Sequence, residues 1–236
     1  MWVLARYEMV CLFSLKASTA TGSGAKSLLI PTPYALKMAL LDAACRTEGV
    51  ARAQELWPAL RDARVAVDPP PRALVTNLFA KVLKLRRTPA QRGDMDEGPF
   101  GRTIAFREYV QHVGPLGVAL GVGEAEASEV ARLLAQISYL GKRGGIVQLL
   151  GVPDLSPELP PGYLAIDQAQ TEFACDGLLQ VLDDCAPSLT FEQASVYSSQ
   201  RVTLGKERLL RHIVLPYRPV RSSKSFTLYE RIKAGG

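Results

Sequence analysis

Every odd position from Val3 to Leu15 is apolar (Val3, Ala5, Tyr7, Met9, Cys11, Phe13, Leu15), whereas the even positions include Arg6, Glu8 and Ser14. A period of two sends one set of side chains to a buried face, so residues 2–15 read as a half-buried strand. Residues 16–31, with small polar residues and glycine from Ser18 to Gly24, read as a loop. Thr32 then offers a cap and Pro33 suits the first turn of a helix, because its missing N–H would lack an intrahelical partner anyway. Leu36, Ala39, Leu40, Ala43 and Ala44 recur at helical spacing, and Gly49 is placed to end that helix. Residues 51–60 suit a short second helical piece.

Alternation returns at Ala63, Val65 and Val67, and Pro69-Pro70-Pro71 closes that strand. In residues 72–101, Val75, Leu78, Phe79 and Val82 are at helical spacing and predict a helix. Thr88 to Gly101 is rich in Gly, Pro and charge and predicts a mobile connection. Residues 102–110 read as a third strand. Glu124 to Ser138 reads as a helix with Val130, Leu133, Leu134 and Ile137 inward, Gly141 to Gly145 as a tight loop, and Ile146 to Leu150 as a fourth strand. The order strand, helix, strand, strand, helix, strand is the split βαβ, an α+β ferredoxin-like βαββαβ plan that also underlies the RRM. Residues 1–150 would form that domain. Residues 151–236 would be a smaller β-rich extension, with a proline-rich lead from Pro153 to Pro161, a strand pair within 195–218 and a last strand at 225–232.

The formal net charge of +5 is unevenly spread. Residues 1–107 hold 16 Lys and Arg against 9 Asp and Glu, residues 108–200 hold 3 against 12, and residues 201–236 hold 9 against 2. Two basic segments flanking an acidic one suit a polyanion on one surface; a solvated surface with chance clustering is the plain alternative. No stretch reaches the roughly 20 apolar residues of a membrane-spanning helix. The apolar run from Val10 to Leu15 lacks the basic lead of a secretion signal. Cys11, Cys45, Cys175 and Cys185 form no C-x-x-C pair, and His112 and His212 supply a zinc site poorly. The expectation is a reducing, cytoplasmic compartment, with no structural disulfide, metal or cofactor.

Three clusters of cations stand out. Asn77, Lys81 and Lys84 recur at i, i+4 and i+7 opposite the apolar stripe of the expected helix, and Arg86, Arg87 and Arg92 continue the run. A polyphosphate backbone needs cations it can meet in succession, and a basic face leading into an arm provides them. The loop Gly141-Lys142-Arg143-Gly144-Gly145 joins close backbone approach to positive charge. The small residues from Thr21 to Ser27, with Lys26, precede a helix start and suit an anion. Phe106, Tyr109 and Tyr139 can stack on bases, although strand aromatics more often fill cores. Asp183-Asp184 reads as a turn rather than a metal site. No nucleophile arrangement and no paired-carboxylate motif appears, so no catalytic residue is nominated.

The stretch Lys26-Ser27-Leu28-Leu29-Ile30-Pro31-Thr32-Pro33-Tyr34-Ala35-Leu36-Lys37 resembles the strand-to-helix junction of the CRISPR-associated Cas-five family, with Met38 where that family often has glycine. Leu74 to Lys81, then Arg86-Arg87, then Phe106-Arg107-Glu108-Tyr109 resemble its second block, particularly in the type I-A-like branch. The resemblance covers roughly residues 1–150. It implies a RAMP protein whose thumb insertion, about 72–102 here, contacts guide RNA. It further implies a non-catalytic subunit of a type I Cascade that holds the crRNA five-prime handle. The implied partners are the backbone RAMP subunit, the large subunit and target DNA, with no membrane. The RNA-binding set on this reading is Lys26, Ser27, Asn77, Lys81, Lys84, Arg86, Arg87, Arg102, Arg107, Lys142 and Arg143. The alternative is a metal-independent endoribonuclease that processes precursor crRNA, with His112 or His212 as general base.

Overall fold

Strand β1 (Trp2–Met9) buries Val3, Ala5, Tyr7 and Met9 and turns the residues between them outward, as the alternation requires. The computed structural model describes residues 1–18, 20, 24–88, 90, 93, 98–168 and 176–232. The strand expected over 2–15 breaks after Met9, and Phe13 instead makes an isolated bridge with Val110. Three short pieces follow: β2 (Leu15–Lys16), β3 (Gly24–Ala25) and β4 (Ser27–Leu28), with β2 pairing β4. Helix α1 (Pro33–Thr47) starts where Thr32 Oγ1 accepts from the Ala35 N–H at 3.1 Å, and its expected stripe is buried. Gly49, at φ 87, leads directly into α2 (Val50–Asp62), and β5 (Arg64–Asp68) follows.

Residues 72–85 are not a helix. They form β6 (Arg72–Leu85), which pairs residue by residue with β7 (Phe100–Val113) in a long hairpin. Fourteen residues per strand reach about 45 Å at roughly 3.3 Å per residue. Helical spacing misled because no helix face is buried here. Leu78, Phe79 and Val82 stay exposed, and the β-branched and aromatic content of both strands favours pairing instead. Lys81 and Lys84 therefore point to opposite faces of a strand. The strand expected at 102–110 is the return limb of this arm. The third strand of the main sheet is β8 (Leu116–Gly121), which is buried on both faces and so carries no alternation to read. The chain turns into it at Gly114, φ 104, where a side chain would come within 2.9 Å of Pro71.

Helix α3 (Glu124–Ala135) buries Val130, Leu133 and Leu134, and Ile137 just beyond it is also buried. The Tyr7 hydroxyl donates to the Leu134 carbonyl at 2.7 Å and ties α3 to β1. The fourth strand is split into β9 (Val147–Leu149) and β10 (Asp154–Ser156), both antiparallel to β1. With β11 (Leu164–Ala165) the main sheet runs β10-β1-β8-β5-β11. Fourth, first, third, second, all antiparallel: this is the ferredoxin-like order. No helix among the described residues is long and apolar enough to cross a membrane.

The remaining chain forms β12 (Leu178–Cys185), the short α4 (Phe191–Ala194), β13 (Arg208–Leu215), β14 (Tyr217–Ser222) and β15 (Phe226–Arg231). β12 and β13 pair as a ribbon against α1. Asp183 and Asp184 lie in β12 rather than in a turn, and both are buried. Asp184 Oδ1 accepts from Lys37 Nζ at 2.7 Å, with both side chains sealed from water. Asp183 pairs with Arg208, whose guanidinium lies 4.2 Å from the Tyr34 ring centre. β14 and β15 extend the arm into a second sheet, β14-β15-β6-β7-β3. Tyr217 locks it by donating to the Pro70 carbonyl at 2.6 Å.

His112 lies beneath the arm's base. Its Nε2 is 2.6 Å from the Leu29 carbonyl, which can only accept, so Nε2 carries the proton and the buried Nδ1 has no hydrogen-bond partner. Burial lowers its pKa from 6.5 to about 4, against a smaller upward pull from the Leu29 carbonyl. The unfolded chain thus takes up a proton near pH 6.5 that the folded chain refuses until about pH 4. Stability should fall as pH drops through that window, by about 3 kcal/mol at its lower end. Thermal melts across the window should show this slope, and His112→Gln should flatten it. An identical slope in the variant would assign the effect elsewhere.

Candidate nucleic-acid interface

Antiparallel register decides which side chains share a face of the arm. Ala73, Val75, Asn77, Phe79, Lys81, Leu83 and Leu85 lie on one face, opposite His112, Val110, Glu108, Phe106, Ile104, Arg102 and Phe100. Near the base this face is core, because Ala73, Val75, Val110 and His112 are buried. Toward the tip it is exposed. Phe79, Leu83, Leu85, Phe100 and Ile104 are open to water, with Lys81 and Arg102 among them, and the rings of Phe79 and Phe106 lie 5.0 Å apart. The opposite face carries Leu78, Val82 and Lys84 from β6 with Arg107 and Tyr109 from β7. Arg86 lies over Gly101, where a Cβ would come within 3.0 Å of its Nε; Arg87 is exposed. Arg92 lies outside the described residues, as do Cys175 and residues 21–23 of the loop before β3.

At the arm's base the two other basic elements converge. A shallow cleft of about 150 Å³ is lined by Phe13, Leu15, Arg107, Tyr109, Leu140 and Lys142, among others. The glycine-rich loop closes one side. Leu140 N–H donates to Gly145 O at 2.9 Å, and Gly145 N–H donates to Lys142 O at 2.8 Å. Those two amides are spent on the turn itself. Its shape depends on glycine at two places. Gly141 has φ 75, and a Cβ at Gly145 would sit 2.5 Å from the Leu140 carbonyl. The Cys11 thiol, 2.8 Å from the Gly144 carbonyl, fastens the loop to the end of β1. Lys142 and Arg143 remain exposed.

On the cleft's other side, β3 pairs with β7 so that Ala25 meets Arg107, and exposed Lys26 comes next in the chain. Structure thus brings Arg107 and Lys142 to one cleft, with Arg143 next to Lys142 in its loop and Lys26 next in chain to the Ala25–Arg107 pairing, and places Lys81, Lys84, Arg86, Arg87 and Arg102 along the arm that rises from it. Two nominated residues have internal work instead. The Ser27 side chain is buried, accepting from Leu15 N at 3.0 Å and donating to Leu28 O at 3.1 Å, while Ser27 N–H donates to Glu108 Oε2 at 2.7 Å. Asn77 Nδ2 donates to the Lys224 carbonyl at 3.1 Å and pins the β14–β15 turn to the arm. Tyr139 makes an isolated bridge with Ile146 outside this surface. Among the described residues no group of three or more His, Cys, Asp or Glu is arranged to hold a metal ion.

Sequence reasoning missed the contribution of the C-terminal strands. Register puts Phe226, Leu228 and Glu230 of β15, and Arg218 and Arg221 of β14, on the same face as Arg107 and Tyr109. The surplus of positive charge after residue 200 was the available signal. Which strand it would join was not readable.

No family model matches the chain. A CRISPR-associated protein Cas5 from Archaeoglobus fulgidus is 25% identical over 235 residues, spanning 97% of this chain and 98% of that protein. The chain is similar to that Cas5 protein over nearly its whole length. Two solved structures also align with nearly the whole of it. The crystal structure of a CRISPR protein from Archaeoglobus fulgidus has a TM-score of 0.46 at 16% identity, covering 100% of this chain and 92% of that one. A chain of a CRISPR RNA-guided surveillance complex has a TM-score of 0.46 at 19% identity, covering 98% and 89%. In this chain the arm leaves the sheet between the second and third strands of the ferredoxin-like order, and spans Arg72 to Val113 rather than ending near residue 102.

Proposed function

We propose that this chain is a non-catalytic RNA-binding subunit of a type I CRISPR surveillance complex, gripping the five-prime handle of the guide. The observation that carries this is the convergence of three separately encoded cation clusters on one cleft and one arm, in a chain similar to a Cas5 protein. Arg107, Lys142, Arg143 and Lys26 would hold phosphates at the cleft. Lys81, Lys84, Arg86, Arg87 and Arg102 would continue the grip along the arm. The exposed Phe79 beside Phe106 supplies an apolar edge that can part neighbouring bases. In this reading the subunit caps the backbone filament, next to a backbone RAMP subunit and the large subunit, during RNA-guided recognition of target DNA in the cytoplasm.

The ribonuclease alternative loses one of its two candidate bases. His112 is 7% exposed, its Nε2–H is given to the Leu29 carbonyl and its Nδ1 is buried, so neither ring nitrogen can reach a 2′-hydroxyl. Filter binding with a single-stranded RNA tests the proposal. Arg107→Ala with Lys142→Ala should weaken binding by about tenfold or more, since each charged hydrogen bond contributes about 1.5–3 kcal/mol. Undiminished binding by that variant would remove the cleft from the interface.

A further inference from the structure

Resting on that reading, we infer that the outer face of the arm's sheet is a stacking platform that holds unpaired nucleotides by their bases. Three strands lie side by side at the arm's base, and their register places Phe226 of β15, Thr76 of β6 and Tyr109 of β7 in one row. Neighbouring strands are about 4.8 Å apart, so the two rings stand roughly 10 Å apart across the small Thr76. Both are half-buried, held by the sheet with a side open to water. A cation flanks each. Arg107 is two residues from Tyr109 on the same face, and the Arg221 guanidinium lies 5.8 Å from the Phe226 ring centre. The opposite face at this level is core, with Ala73, Val75, Val110 and Tyr217 buried. The outer one is open: Gln111 and Val113 beside this row are exposed.

The chemistry selects the ligand. Aromatic rings fixed on strands with arginines beside them suit a single strand, whose bases are free to stack while its phosphates meet the guanidiniums. A duplex hides its base faces and would use only the cations. A second copy of this chain would bring like charges together. Tyr109 belongs both to the row and to the cleft, so the strand runs from Lys142 and Arg107 over Tyr109 to Phe226, and Arg221 moves from ring to phosphate when a base arrives.

The test uses the full chain and a short labelled RNA, single-stranded or annealed to its complement, at several salt concentrations. Phe226→Leu keeps the apolar filling and removes the ring. It should lower single-strand affinity about tenfold with the salt dependence unchanged, and Phe226→Trp should restore it. Arg221→Ala, at an exposed position, should reduce the slope of log affinity against log salt by about 0.7. If Phe226→Leu and Arg221→Ala both bind like the wild type while Arg107→Ala with Lys142→Ala does not, the platform is refuted and the cleft stands. Equal affinity for duplex and single strand also refutes it. A wild-type chain that binds no RNA sinks both readings.

Discussion

Single-stranded RNA affinity should fall a few hundredfold when salt rises from about 50 to 200 mM, on the basis of about six phosphate contacts. On the proposed reading, cleft and arm would draw those contacts from among nine cations: Lys26, Arg107, Lys142 and Arg143, then Lys81, Lys84, Arg86, Arg87 and Arg102. Each contact with a single strand releases counterions and adds about −0.7 to the slope of log affinity against log salt, giving about −4 in total. Neutralising Lys81 and Arg87 together should bring the slope back by about 1.4. Both side chains are exposed, so the melting temperature should not move. Equilibrium binding at a series of salt concentrations measures the slope. A slope near zero would mean that these cations face water in the complex. An intact slope in the double variant would take the arm, but not the cleft, out of the RNA path.

Lys37→Ala should destabilise the fold by about 3–5 kcal/mol, because it leaves the Asp184 carboxylate buried without its cation. For a chain of this size that is a drop of about 10 °C in melting temperature. Lys37 is 2% exposed and Asp184 is 3% exposed, and the pair is a buried ionic link between α1 and the β12–β13 ribbon. Burial pushes the Asp184 carboxyl upward while the Lys37 ammonium pulls it down, so its ionised state depends on that partner. Replacing both members with apolar side chains, Lys37→Met and Asp184→Leu, should recover most of the loss. Thermal melts of the three variants decide the matter. A Lys37→Ala chain that melts like the wild type would show that water reaches the pair.

Some elements announce themselves locally. Val3 to Met9 alternate because one face of β1 is core and the other is not, and Leu36 to Ala44 recur at helical spacing because α1 buries one stripe. Thr32-Pro33 begins its helix from within, since the cap bond to Ala35 spans three residues. β6 was misread because most of its apolar residues lie outside the core. Val75 is buried by the sheet, but Leu78, Phe79 and Val82 are left out on the arm, so their spacing reported nothing about a buried face. β8 went unseen for the reverse reason: buried on both sides, it has no polar residues to mark a period.

The cations of the candidate site were legible as residues and illegible as a surface. Lys142 and Arg143 in a glycine turn, and Lys81 to Arg87 in one basic run, are properties of neighbours in the chain. That Arg107 shares a cleft with Lys142, that Ser27 turns inward, and that Phe226 and Arg221 stand in a row with Tyr109 all depend on pairings between strands far apart in sequence. Local periodicity determined β1, α1 and α3 of the ferredoxin-like plan, because each of these buries its own repeat. Tertiary structure alone decided the interface, because strand register, which no local pattern specifies, chooses the side chains that meet on one face.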